Sequence, residues 1–149
     1  MGADLYINSR YQPQRLKWQK VFDAAVEERN RLQPETAEFK RVQAKVEDAY
    51  SRMYERGYFR DSYNDNNLLR KFGLSWWEDV IPMLNADGEL SVSQAERLLE
   101  MLKEQHNEFL GNLKSMSSAR RKQFLDAYAD LQKFLAEAIE LNSPIDASL

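Results

Sequence analysis

The chain has 149 residues, a formal net charge of −3 and no cysteine. This length fits one domain with its own hydrophobic core. The lack of thiols excludes disulfides, cysteine-ligated metal centres and thiol nucleophiles, and the net negative charge disfavours nucleic acid as a partner.

Residues 13–57 have the pattern of a helical hairpin. Pro13 suits the first position of a helix that runs to about Leu32. Pro34 precedes a second helix, which Gly57 can end with a left-handed cap. Apolar residues recur at helical spacing, with Trp18, Phe22, Ala25 and Leu32 in the first helix and Phe39, Val42, Val46, Ala49, Tyr50, Met53 and Tyr54 in the second.

Residues 58–92 are predicted to form a connector with short helices. Leu68–Phe72 has the pattern of one helical turn, and Ser75 and Glu78 have the spacing of a capping box. Asn85–Gly88 is typical of a turn. Aromatic residues are concentrated in and just before this connector, at Tyr50, Tyr54, Tyr58, Phe59, Tyr63, Phe72, Trp76 and Trp77.

Residues 93–141 are predicted to form a second long hairpin, beginning with a capping box at Ser93 and interrupted near Ser115–Ser118. The tail, residues 142–149, is expected to fray. Leu5–Ile7 has the pattern of a single short strand, but no partner strand is evident. The expected fold is therefore all-α, a single domain over residues 1–149 in which two long helical hairpins form a four-helix bundle with an aromatic-rich connector.

The connector supplies the candidate binding residues. Tyrosine, tryptophan and arginine are enriched at protein interfaces, and asparagine and aspartate add hydrogen-bonding groups. The predicted binding residues are Tyr54, Arg56, Tyr58, Arg60, Asp61, Tyr63, Asn64, Asp65, Trp76 and Trp77. Neighbouring helix positions point about 100° apart, so one of the two tryptophans should be buried. The alternative is structural: the polar run Asp61–Asn67 forms a turn and caps the helix at Leu68.

The leading functional hypothesis is a non-enzymatic protein that binds a protein partner of unknown identity. One alternative is a pocket for a nucleotide or other anion, with Arg56 or Arg60 holding the charge and a tyrosine stacking on the ligand. A second alternative is a carboxylate enzyme that uses a divalent ion, with Asp61, Asp65, Glu78 and Asp79 brought together. Because no catalytic, metal-binding or cofactor motif is evident, we predict no catalytic residue, metal or cofactor.

Two further patterns favour ordinary structural roles. Asn85–Ser91 resembles the middle of an EF-hand calcium loop, but Met83 and Gln94 replace the anchoring acids, so we expect a plain turn. His106 follows Leu99 and Leu102 at heptad-like spacing, which predicts a buried imidazole.

The sequence also predicts a location and an oligomeric state. The first residues contain no apolar segment of signal-peptide length, and no apolar run is long enough to span a membrane, so we expect a cytoplasmic protein without membrane contact. The last helix has a broad apolar stripe that a sparsely apolar first helix would leave uncovered. We therefore expect a homodimer formed through the C-terminal hairpin, with Leu131 in its interface.

Overall fold

A computed structural model describes residues 2–64 and 66–149. The chain is mostly helical, with a small antiparallel sheet. It divides into two compact units, one of residues 9–57 and one of residues 2–8 with the described part of 58–149. The predicted helical content is confirmed, whereas the all-α class and the four-helix bundle are not, because the described chain contains four strands.

The first unit is a hairpin of α1 (Asn8–Asn30) and α2 (Ala37–Met53). α1 begins before Pro13, which lies inside the helix rather than at its first position. α2 is capped by Thr36, whose Oγ1 accepts a hydrogen bond from the Phe39 backbone N–H over 3.1 Å. The predicted pair of helices is confirmed, with shifted ends.

The two helices of the hairpin contact each other along the predicted faces. The rings of Phe22 and Tyr50 have centroids 5.9 Å apart, and Arg29 Nη1 donates to Gln43 Oε1 over 2.9 Å. The buried side chains of α2 are Val42, Val46, Ala49 and Met53, at steps of three and four. This spacing keeps the apolar positions of α2 on one side.

The sheet of the second unit corrects two predictions. Its strands are β1 (Gly2–Tyr6), β2 (Tyr58–Ser62), β3 (Glu89–Leu90) and β4 (Ile145–Ser148), in the order β2-β1-β4-β3 and all antiparallel. Leu5 pairs with Phe59 on one side and with Ala147 on the other, so the N-terminal strand has two partners. The tail that was expected to fray forms β4. Both predictions were wrong because the pairing joins segments that are distant in sequence.

The helices of the second unit fall into more pieces than predicted. They are α3 (Leu68–Lys71), a π-helical turn (Trp76–Val80), a 3₁₀ turn (Ile81–Met83), α4 (Val92–Glu104), α5 (His106–Leu113) and α6 (Ser118–Glu140). α4 is capped by Ser91, two residues before the predicted cap, and it ends at Gln105. The predicted second hairpin therefore consists of three helices rather than two.

The break at Gln105 changes the environment of His106. Because the heptad register does not continue from α4 into α5, His106 is exposed, and the predicted buried histidine is wrong. Its ring lies against Tyr128, with centroids 5.7 Å apart and the planes near perpendicular. α5 still contributes to the core, since Phe109 stacks on Phe72 at 4.2 Å.

The apolar stripe of α6 is covered within the chain. Its buried side chains are Tyr128, Leu131, Phe134, Leu135 and Ala138, and α6 packs against α4 and β2. The reason for expecting a homodimer through Leu131 is therefore gone, although oligomeric state stays a prediction. None of the described helices is long and apolar enough to cross a lipid bilayer.

Candidate functional site

Asp61 organises the start of the connector. Its side chain is 9% exposed, and its carboxylate accepts four hydrogen bonds. The donors are Ser62 N at 3.0 Å, Leu68 N at 3.0 Å, Leu69 N at 3.2 Å and Trp76 Nε1 at 2.7 Å. A buried carboxylate needs such donors to offset its lost hydration. The contacts of Asp61 are thus internal, and they tie β2 to α3 and to the π-helical turn.

The other polar residues of the connector also fold the turn. Asn67 caps α3, because its Oδ1 accepts from Arg70 N over 2.9 Å, and its Nδ2 donates to Ser62 O over 2.7 Å. Asn64 Oδ1 accepts from Asn66 N over 3.0 Å. These contacts match the structural alternative for the run Asp61–Asn67. Asp65, a predicted binding residue, lies outside the described residues.

The two adjacent tryptophans have opposite environments. Trp76 is 1% exposed and Trp77 is 58% exposed, which confirms that one of the pair is buried. Ser75 fixes the turn that separates them: its Oγ accepts from Glu78 N over 3.3 Å, and its backbone N–H donates to Asp79 Oδ2 over 2.8 Å. The indole of Trp77 is thus held at the surface by a capped turn.

Trp77 borders a cavity of about 300 Å³ in the second unit, named here the Trp77 cavity. Its lining residues are Gly2, Asp4, Arg60, Tyr63, Trp77, Ser148 and Leu149. The rings of Tyr63 and Trp77 are tilted against each other with centroids 5.6 Å apart. Residues of β1, β2 and β4 thus line the same cavity as the two aromatic rings.

Asp4 contacts both a tyrosine and an arginine beside this cavity. Its Oδ1 accepts a 2.5 Å hydrogen bond from the Tyr58 hydroxyl and lies 3.5 Å from Arg60 Nη1. Burial, followed by the hydrogen bond to Asp4 and its negative charge, raises the pKa of Tyr58. Burial and the charge of Asp4 also raise the pKa of Tyr63. Both phenols therefore remain neutral donors at physiological pH.

The Tyr63 hydroxyl is buried and has no hydrogen-bond partner among the described residues. Such a group carries a desolvation penalty, and native proteins leave few of them unsatisfied. The Tyr63 ring lies beside the exposed Trp77 indole, so this cavity has a tyrosine hydroxyl that can still form a hydrogen bond.

A second cavity, of about 470 Å³, lies in the hairpin unit and is named here the arginine cavity. Its lining residues are Arg10, Tyr11, Gln14, Arg15, Arg52, Met53, Glu55 and Arg56. Two of the arginines are held in place. Arg15 Nη2 donates to Gly57 O over 3.0 Å, and Arg52 lies 3.1 Å from Asp48 and 4.8 Å over the Trp18 ring.

The predicted binding residues do not form one site: some line the Trp77 cavity, one lines the arginine cavity, and the other described ones lie outside both. Arg60, Tyr63 and Trp77 line the Trp77 cavity. Tyr58 does not line it, but its hydroxyl donates a hydrogen bond to Asp4, which does. Arg56 lines the arginine cavity. The remaining described ones are Tyr54, which pairs with Tyr50 at 4.9 Å, exposed Asn64, and buried Asp61 and Trp76.

Sequence reasoning missed the residues that come from distant segments. Asp4 was not identified because β1 was not paired with β2. Arg10 was not identified because the first helix was started at Pro13, after Arg10. Arg15 lay inside the predicted helix but was not singled out. The spacing of Arg10 and Gln14 by four residues, which places them on one face of a helix, was the available signal.

Two of the carboxylates proposed for a metal-dependent enzyme accept hydrogen bonds from the backbone, and Asp65 lies outside the described residues. Asp61 and Asp79 accept backbone hydrogen bonds, and Glu78 is exposed. Over residues 2–64 and 66–149, no three histidine, cysteine, aspartate or glutamate side chains are grouped so that they could hold a metal ion. In the calcium-like segment, Asn85 Oδ1 accepts from the Asp87 and Glu89 backbone N–H groups, as in an ordinary turn.

No protein-family model, no curated protein and no solved structure matches this chain.

Proposed function

We propose that the protein is a non-enzymatic binding protein whose Trp77 cavity receives a lysine or arginine side chain from a segment of a protein partner. The observation that carries the proposal is the contrast between Trp77, which is 58% exposed, and its neighbour Trp76, which is 1% exposed. A capped turn that holds the second indole in solvent fits a recognition role.

The composition of the cavity supports a protein partner. Tryptophan, tyrosine and arginine are the side chains most enriched among interface residues that contribute strongly to affinity. Trp77, Tyr63 and Arg60 line one cavity of about 300 Å³. This volume is at the lower end of the range of about 300–1,000 Å³ that is typical of ligand pockets. It suits one inserted side chain.

The exposed indole and the acidic composition of residues 61–100 support a basic segment as that partner. The negative charge of Asp4 acts on Tyr63 inside the cavity, and residues 61–100 carry three basic and eight acidic side chains. An ammonium or guanidinium group over an indole face gains cation–π energy of about 0.5–2 kcal/mol. Because Arg60 lies 3.5 Å from Asp4 and offsets its charge, the attraction of the indole face is the main contribution that favours a cation at the Trp77 cavity.

The proposal is tested by selecting binders from a randomised peptide library displayed on phage. The enriched peptides should contain lysine or arginine at a fixed position. The substitution Trp77→Ala should weaken their binding by about tenfold or more, as expected for an interface tryptophan. The matched control is Leu110→Ala on α5, another large exposed apolar side chain, which should leave the affinity unchanged.

Circular dichroism of both variants should match that of the parent protein, because both side chains are exposed. Enriched peptides without a basic residue would contradict the proposed partner chemistry. Equal affinity of the parent and the Trp77→Ala protein would place the binding surface elsewhere.

A further inference from the structure

We propose that the arginine cavity binds a small organic phosphate with two or more phosphate groups, of the class of nucleoside diphosphates. This site lies within the hairpin unit and does not involve the Trp77 cavity. Four guanidinium groups, those of Arg10, Arg15, Arg52 and Arg56, line the cavity together with one acidic side chain, Glu55.

The two helices present these arginines in pairs. α1 contributes Arg10 and Arg15, and α2 with the residues that follow it contributes Arg52 and Arg56. Arg52 lies in the last turn of α2, and Arg56 lies beyond the end of this helix at Met53, in the bend before Gly57. The cavity is thus lined by the first half of α1 and by the C-terminal end of α2 with the residues that follow it.

Two of the four arginines have partners within the hairpin unit, and the other two can turn toward a ligand. Arg15 is held by the Gly57 carbonyl, and Arg52 by Asp48 and the Trp18 ring. Arg10 and Arg56 are exposed, and neither has a hydrogen bond or ion pair among the described residues. Fixed guanidinium groups provide a pre-ordered part of a site, while the exposed pair can move onto a ligand.

The charge of the lining selects for an anion. Among the lining residues Glu55 is the only acid against four arginines, so the cavity retains excess positive charge. Guanidinium groups form paired, parallel hydrogen bonds with phosphate oxygens. Several guanidinium groups around one cavity match several phosphate groups better than they match a single monoanion.

The size and the aromatic lining point to an organic ligand. A cavity of about 470 Å³ exceeds the needs of an inorganic phosphate ion. The Tyr11 ring lines it and is backed by Gly57, where an added Cβ would lie 2.3 Å from Tyr11 Cδ2. A ring held in this way can stack on a planar group of the ligand.

Isothermal titration calorimetry at low salt tests the proposal with ADP, AMP, pyrophosphate and inorganic phosphate as probes. ADP should bind more tightly than AMP, and its affinity should fall as salt is added. Arg10→Gln and Arg56→Gln should each weaken ADP binding by at least about tenfold, a loss in the range of charged hydrogen bonds. Glu55→Gln should strengthen it, a gain that misfolding does not produce.

The matched control is Arg41→Gln, an exposed arginine of α2 that is not part of the lining, and it should leave ADP binding unchanged. Trp77→Ala should also have no effect, so this proposal and the proposed function stand or fall separately. The proposal is overturned by absence of ADP binding at millimolar concentration, by equal losses in the Arg41 and Arg56 variants, or by binding of RNA oligomers without binding of ADP. If pyrophosphate bound as tightly as ADP, the inference that the site recognises an organic group of the ligand would be wrong.

Discussion

The substitution Asp61→Asn replaces one carboxylate oxygen by an amide nitrogen without a change in size. In the native protein Oδ1 accepts from Ser62 N and Leu68 N, and Oδ2 accepts from Leu69 N and Trp76 Nε1. In either orientation of the amide, its NH₂ group faces two donors. We therefore expect two N–H groups, at least one of them buried, to lose their acceptor.

The expected destabilisation follows from these two donors. Each buried donor left without an acceptor costs about 1–3 kcal/mol, which gives about 2–6 kcal/mol for the pair. The bonds to the remaining oxygen also lose the strengthening that a charged acceptor gives. Against a typical stability of about 5–15 kcal/mol for a folded protein, this is a large loss.

Urea unfolding followed by tryptophan fluorescence and circular dichroism measures the effect. A double-mutant cycle sharpens it, because Trp76→Phe removes one of the two donors beforehand. In that background Asp61→Asn should cost about 1–3 kcal/mol less. The control, Asp87→Asn in an exposed turn, should change stability by less than about 0.5 kcal/mol. A loss below about 1 kcal/mol for Asp61→Asn, or additive effects of the two substitutions, would refute the reasoning.

Two further perturbations test the hairpin and the cavity electrostatics. Gly57→Ala should destabilise the protein by at least about 1 kcal/mol in thermal unfolding, because Gly57 has φ 64° and its added Cβ would meet the Tyr11 ring. The control Gly111→Ala, whose Cβ meets no atom within 4 Å in α5, should be neutral or stabilising by up to about 1 kcal/mol. The free energy of unfolding should fall as pH rises above about 10, since the unfolded chain then loses tyrosine protons that folded Tyr58 keeps. Asp4→Asn should reduce this fall, and a pH profile identical to that of the parent protein would contradict the contribution of Asp4 to the raised pKa of Tyr58.

Local signals in the sequence located the helices. The recurrence of Val42, Val46 and Ala49 marked the buried face of α2, because helical periodicity depends only on neighbouring residues. The cap at Ser75 was also found, since its partner lies three residues away. Helix ends were less accurate, because proline favours the first position of a helix, whereas Pro13 is the sixth residue of α1.

The sheet could not be predicted in the same way. Strands β1, β2 and β4 pair across most of the chain, and no local pattern encodes such pairing. Phe59 and Asp61 alternate with Tyr58 and Arg60 as a strand requires, but the aromatic and polar composition obscured this alternation.

The candidate sites were predictable only where their residues are close together in the sequence. Arg60, Tyr63 and Trp77 belong to one continuous segment with an unusual density of interface residue types. Asp4 enters the cavity through the register Asp4↔Arg60, and only the paired sheet brings it there. Arg10 faces the arginine cavity because α1 begins earlier than the position of Pro13 indicated.

The central claim is that Trp77 is the contact point for a basic segment of a partner. The chain contains three tryptophans, Trp18, Trp76 and Trp77, so a ¹H–¹⁵N spectrum resolves three indole N–H signals. On titration with a selected lysine- or arginine-containing peptide, the Trp77 signal should shift, while that of Trp76, which is bonded to Asp61, should stay in place. A peptide that binds without moving the Trp77 indole signal would contradict the account.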